Sequence, residues 1–181
     1  MFKLIIAPKF HYLAKVTSRS GGVMSKIKEK FEEFGLIENV KKSSFRQFFD
    51  APSLQFSSVV IHQLLLRQVE SKYPNELWFN IGEKDLRFGI AEFAVITGLN
   101  FGAEPDMLQW KEIRKRSTLT DFYMSKNQNP KLVDLEAAFI KCTVKEDVWK
   151  LGLCYLVGGL LMSSEANGAL HDGLLSTNFG F

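Results

Sequence analysis

The sequence predicts a mainly α protein of the α+β class, a helical bundle-like domain carrying one small β-hairpin. Three observations predict it. Apolar residues recur at helical spacing over most of the chain, as at Val23, Ile27, Phe31 and Phe34. One stretch, Leu77 to Phe88, alternates instead. The longest apolar run, Leu151 to Met162, spans 12 residues, long enough for a core helix and short of the ~20 needed to cross a bilayer.

Taken in order, residues 1–20 form an N-terminal segment of mixed signals, and Gly21-Gly22 interrupts it. Its opening apolar run is too short for a signal-peptide core. The first helix runs from Val23 to Phe34, with Gly35 at the position where a left-handed residue closes a helix cheaply. A second helix is predicted over Leu36 to Phe49, on Ile37, Val40, Phe45, Phe48 and Phe49. Ala51-Pro52 ends it, because the residue before proline avoids the α region. Ser57 or Ser58 caps a third helix that reaches about Glu70, and Tyr73-Pro74-Asn75 is a turn.

The hairpin follows. Leu77, Phe79 and Ile81 alternate with Trp78 and Asn80, and Leu86 and Phe88 flank Arg87, with Gly82 to Asp85 as the connection. A helix over Ile90 to Thr97 has Gly89 as N-cap, Glu92 in its first turn and Gly98 as its stop; its apolar face is expected to be Ile90, Phe93, Ala94 and Ile96 or Thr97. Arg87 and Glu92 are expected to pair and fix the hairpin to that helix. Further on come a short helix over Met107 to Lys115, a loop over Ser125 to Pro130, and a helix marked by Leu132, Leu135, Phe139 and Ile140. The final helix, Asp147 to about Met162, is apolar on nearly every face except Lys150 and therefore belongs at the centre of a core. Its glycines, Gly152, Gly158 and Gly159, either admit a close neighbour or bend the helix.

These elements give an expected organisation of one globular helical domain over residues 21–163, with residues 164–181 an irregular tail of a shortened product. The 181 residues suffice for one proper core. Hydrophobic residues at 46% and charged residues at 24% exclude a disordered chain, and 16 Phe point to an aromatic core. A net charge of +3 is too mild to demand a nucleic acid. Two cysteines, Cys142 and Cys154, are too few for a disulfide framework and suit a reducing, intracellular compartment.

The run Glu76-Leu77-Trp78-Phe79, then Leu86-Arg87-Phe88, then Glu92-Phe93-Ala94-Val95-Ile96-Thr97-Gly98-Leu99-Asn100, ending at Gly102, resembles the plant domain-of-unknown-function family number nineteen eighty-five. Tyr12 to Ser18, Phe45 to Leu54, Leu64 to Gln68 and the apolar helix over Lys150 to Leu161 agree with it. The resemblance implies a head module, often upstream of a SUMO-protease-like peptidase domain in transposon-derived plant proteins. It implies no enzymatic role for the head itself. Together with the lack of a convergent catalytic set, that gives the expectation of an interaction module with a protein partner. The expected compartment is intracellular, the nucleus ahead of the cytoplasm. Gly89 stands where that family has serine, Phe101 where it has cysteine, and the segment after Ser163 does not follow its pattern.

Candidate chemistry is sparse. Cys154, His171 and Asp172 supply the residue types of a thiol triad, but Cys154 sits in the apolar run Leu153-Cys154-Tyr155-Leu156, where a thiol is normally buried and inert. His11, His62 and His171 lack ligand spacing, and there is no glycine-rich phosphate loop, so neither metal nor cofactor is expected. The segment Trp110-Lys111-Glu112-Ile113-Arg114-Lys115-Arg116 offers Trp110 for stacking and Lys111, Arg114, Lys115 and Arg116 for phosphates, an alternative nucleic-acid interface. The plainer account of that run is an amphipathic helix with a solvated basic side.

Overall fold

The alternating and helical patterns become, in the computed structural model, eight α-helices and three short strands among the described residues, which are 4–5, 22–51, 57–71, 73–99, 101, 118–124 and 130–161. The protein is mainly α with a small antiparallel sheet, as its sequence predicts. The chain divides into two compact units, residues 1–18 with 44–102, and residues 19–43 with 103–181.

The second of these units is the helical core. Helix α1 (Val23–Glu33) buries Val23, Ile27 and Phe31 on one stripe. It ends in a Schellman arrangement: the Leu36 amide donates to the Phe31 carbonyl at 2.8 Å, the Gly35 amide to the Glu32 carbonyl at 3.1 Å, and Gly35 has φ +61°. The short helix α2 (Ile37–Lys42) follows. It stops early, and the single helix expected over Leu36 to Phe49 is in fact two. The reason lies at Ser43, whose hydroxyl donates to the Val40 carbonyl at 2.8 Å while its backbone turns extended. Serine competes with the helix for its own carbonyls and breaks it there. The continuation, α3 (Arg46–Asp50), belongs to the other unit.

Helix α6 (Thr118–Tyr123), which the sequence pattern does not announce, precedes α7 (Leu132–Lys141) and α8 (Lys145–Leu156). Eight of the residues of α8 are buried on all sides, including Trp149, Leu151, Cys154 and Tyr155. That is the central helix its composition predicts. Phe31 and Phe139 meet edge to face at 6.2 Å, Phe31 lies 5.2 Å from Trp149, and Phe139 lies 5.8 Å from Tyr155, ring centre to ring centre. Such pairs add about 0.5–1.5 kcal/mol each beyond the area they bury. At Gly152 side chains of both α1 and α7 lie against the backbone of α8: a Cβ there would stand 2.5 Å from Phe31 Cζ and 3.0 Å from Phe139 Cε2. Beyond α8 the chain widens into a π turn over Val157–Leu161, centred on Gly158-Gly159. The close-neighbour reading holds at Gly152, and at Gly159 a Cβ would stand 3.1 Å from Val23 Cγ2.

The first unit contains α4 (Ser58–Leu66), capped by Ser57, whose hydroxyl accepts from the Val60 amide at 3.4 Å. The helix ends at Leu66, short of Glu70, because Gln68–Val69 forms strand β1 and pairs antiparallel with β2 (Leu77–Ile81). The sheet therefore has three strands, in the order β1-β2-β3, where the sequence predicts a two-stranded ribbon. A two-residue strand carries too little pattern to be read locally. Strand β3 (Lys84–Phe88) pairs with β2 in the register Ile81↔Lys84 through Leu77↔Phe88. The connection is only Gly82-Glu83, both at positive φ (57° and 65°), so Lys84 and Asp85, expected in the loop, lie in the strand. Positive φ at both positions is the turn geometry that matches strand twist. Helix α5 (Ile90–Thr97) follows, closed by Gly98 at φ +71°. Its expected apolar face is only partly covered. Thr97 is buried and Phe93 and Ala94 half-buried, while Ile90 and Ile96 are exposed.

Candidate functional site

Strand alternation sorts the hairpin into two faces. Leu77, Phe79 and Ile81 share one face with their cross-strand partners Phe88, Leu86 and Lys84. Trp78 and Asn80 share the other with Arg87 and Asp85.

The polar face carries one network and one separate pair. Trp78 Nε1 donates to Glu76 Oε2 at 2.9 Å, and Asn80 Nδ2 to Asp85 Oδ1 at 2.8 Å. Arg87 donates to Glu76 Oε1 at 3.4 Å and to Glu92 Oε1 at 3.1 Å. The second carboxylate oxygen of Glu92 accepts from the Gly89 amide at 2.8 Å. The pairing of Arg87 with Glu92 expected from the sequence is thus present, and Glu92 caps its own helix as well. That backbone donor, more than the guanidinium, holds the Glu92 carboxyl below the usual carboxylate range; Glu92 in turn raises the Arg87 guanidinium.

The apolar face is incompletely covered. Leu77 is 45% exposed and Leu86 49%. At the Leu77↔Phe88 end it runs into a groove of about 360 Å³, lined by Asn75, Leu77, Phe88, Gly89, Ile90, Phe93 and Phe101. Phe93 forms the floor, perpendicular to Phe88 at 6.5 Å and 5.8 Å from Phe101. Ile90 and Phe101 stand at the rim, 48% and 50% exposed. A groove of this kind can take apolar side chains from a partner, and it offers no nucleophile or titratable pair for chemistry.

A second hollow, of about 340 Å³, lies in the helical unit against Phe122, Tyr123, Met124, Asp134, Ala137, Ala138 and Lys141. Its polar groups serve the fold. Asp134 accepts from the Lys131 amide at 2.9 Å and so caps α7. Tyr123 donates to Asp147 at 2.7 Å and accepts from the Cys142 thiol at 3.4 Å, joining α6 to the start of α8. Held between these two partners, the Tyr123 hydroxyl is pushed up.

The residues singled out by sequence fare as follows. Cys154 is 1% exposed inside α8, and burial pushes its thiol up to about 12, so it presents no thiolate at neutral pH. His171 and Asp172 lie outside the described residues, as do His11 and the basic run Trp110, Lys111, Arg114, Lys115 and Arg116. His62 is half-buried on α4. Among the described residues no group of three or more His, Cys, Asp or Glu is placed to hold a metal. No helix among them is long and apolar enough to cross a membrane. Sequence reasoning missed the groove itself. The alternation of Leu77, Phe79, Leu86 and Phe88 was its signal, but alternation marks an apolar face without saying whether anything lies on it.

A family model described as a domain of unknown function (DUF1985) matches residues 65–173, more than half of the 181-residue chain. The chain belongs to that family. The DUF1985 match begins at the end of α4 and contains the whole hairpin, the groove and the central helix α8. It also reaches beyond Ser163, into the stretch set apart above as a tail. No curated protein and no solved structure matches the chain.

Proposed function

We propose that this chain is a non-enzymatic protein-interaction module that receives a partner on the apolar face of its hairpin and in the adjoining groove. The observation that carries this is the half-exposure of Leu77, Ile90 and Phe101 around a single hollow floored by Phe93. Large apolar side chains gathered at a concave surface mark a place where another molecule excludes water. The non-enzymatic part of the proposal is supported by the chemistry of the groove and by the deep burial of Cys154.

The setting belongs to the same proposal. The resemblance of residues 77–102 suggests a plant, transposon-derived protein in which this module heads a SUMO-protease-like peptidase and works in the nucleus. The experiment is affinity capture from plant nuclear extract with the full chain and with an Ile90→Asp, Phe101→Asp variant, read by quantitative mass spectrometry. A partner retained by the parent chain and lost by the variant is the expected result. Identical capture by both, or turnover of a substrate by the purified chain, overturns the proposal.

A further inference from the structure

The sheet has two edges, and they are treated differently. Beyond β1, Leu4 bridges Val69 and the Ile5 amide donates to the Gln68 carbonyl at 3.0 Å, so that edge is extended by chain. Strand β3 is the other edge. A two-residue connection makes Ile81↔Lys84 a hydrogen-bonded pair, and bonded and non-bonded pairs alternate from there. Phe79↔Leu86 and Leu77↔Phe88 are then bonded, while the backbone groups of Asp85 and Arg87 point away from β2. The Asn80 amide confirms the phase: opposite Asp85, it donates instead across the other side to the Arg67 carbonyl at 2.9 Å. Among the described residues the outward amides and carbonyls of Asp85 and Arg87 have no backbone partner, and both residues are exposed.

The C-terminal end of this edge, at Phe88, borders the groove, and the two features fit one occupant. A strand added to β3 would set alternate side chains on the face of Leu86 and Phe88, leading into the groove, and the others on the face of Asp85 and Arg87. That second face carries three carboxylates, Glu76, Asp85 and Glu92, against the guanidinium of Arg87, while the other cation of β3, Lys84, lies on the face of Leu86 and Phe88. The surplus is negative and favours a cation opposite Asp85.

We propose that β3 is a docking edge for an extended peptide that alternates apolar and basic residues, its apolar side chains entering the groove. This rests on the interaction reading above and gives it a partner chemistry.

The test is fluorescence polarisation of the full chain with a short labelled peptide of alternating valine and lysine. Saturable binding is expected. It should weaken about tenfold when the peptide amides facing β3 are N-methylated, the loss of one or two hydrogen bonds. Asp85→Pro should weaken it similarly, since that amide makes no ladder bond and the hairpin keeps its pairing; circular dichroism checks this. A valine–glutamate peptide should bind at least tenfold more weakly. Equal binding by the N-methylated or the glutamate peptide overturns the proposal. If binding then responds only to Ile90→Asp, Phe101→Asp, the groove reading stands and the edge falls; if nothing changes it, both fall. A chain found dimeric by sedimentation and made monomeric by Asp85→Pro gives the edge to a second copy and likewise overturns the proposal.

Discussion

The ring of Phe31, on α1, lies directly over the bare Cα of Gly152, on α8. A Cβ placed there would come within 2.5 Å of Phe31 Cζ and 3.0 Å of Phe139 Cε2. Three helices meet at that point, and all three side-chain positions are fully buried. Gly152→Ala should therefore destabilise the fold by about 1–3 kcal/mol through overpacking, despite the ~1 kcal/mol that alanine gains in helix propensity. Urea unfolding of the single variant measures it. A neutral or stabilising result would mean the rings move aside freely.

Acid should unfold this protein through identifiable carboxylates. Glu136, paired with Lys26, and Glu92, fed by the Gly89 amide, are both held below 4.5. With the folded value depressed, the unfolded chain takes up the proton first. The stability these groups contribute is complete above about pH 4.5 and is lost as pH falls through their folded values. Melting temperature measured between pH 7 and pH 3 should drop at the acid end. Glu136→Gln and Glu92→Gln should each flatten that drop, and an unchanged slope would remove them from the account.

Both cysteines should be silent in the folded chain. Cys142 and Cys154 are 2% and 1% exposed, and the Cys154 thiol is pushed up to about 12. Reaction with a coloured disulfide reagent at neutral pH should count almost no thiols in the native protein and two after denaturation. Prompt labelling of Cys154 without unfolding would show that α8 opens.

The hairpin turn carries a residue that its geometry disfavours. Glu83 sits at φ +65°, a left-handed conformation that costs an ordinary side chain about 1 kcal/mol. Glu83→Asn should raise stability by about 0.5 kcal/mol, because asparagine visits that region readily. A lowered melting temperature would show that the Glu83 side chain contributes more than its backbone loses.

Much of the fold was legible because it depends on neighbours in sequence. The stripe Val23, Ile27, Phe31 with Gly35 at its end specified α1 and its Schellman close, since both the helix period and the need for positive φ are local. The apolar character of residues 148–156 on nearly every face, Lys150 excepted, placed α8 at the centre of its unit. Arg87 and Glu92 could be paired because only Gly89 separates strand from helix. Where the reading failed, a distant or side-chain term decided. Ser43 turned its hydroxyl on Val40 and broke one helix into two. Gln68-Val69 left the helix because β2 offered a ladder, and two residues hold no period to betray that. Ile90 looked like a core position and is exposed, and of the alternatives Ile96 and Thr97 it is Thr97 that is buried, because periodicity reports which residues share a face and nothing about what covers it.

The sequence by itself determined the mainly helical class, the hairpin, the central helix and membership in the DUF1985 family, since each follows from residue order over short spans. Only the tertiary structure decided that β3 is an unpaired edge among the described residues and that Leu77, Ile90 and Phe101 ring an open groove. The physical reason is that burial and strand pairing are properties of surfaces brought together from separate stretches of chain, and the sign of a side chain's exposure is fixed only when its neighbours in space are.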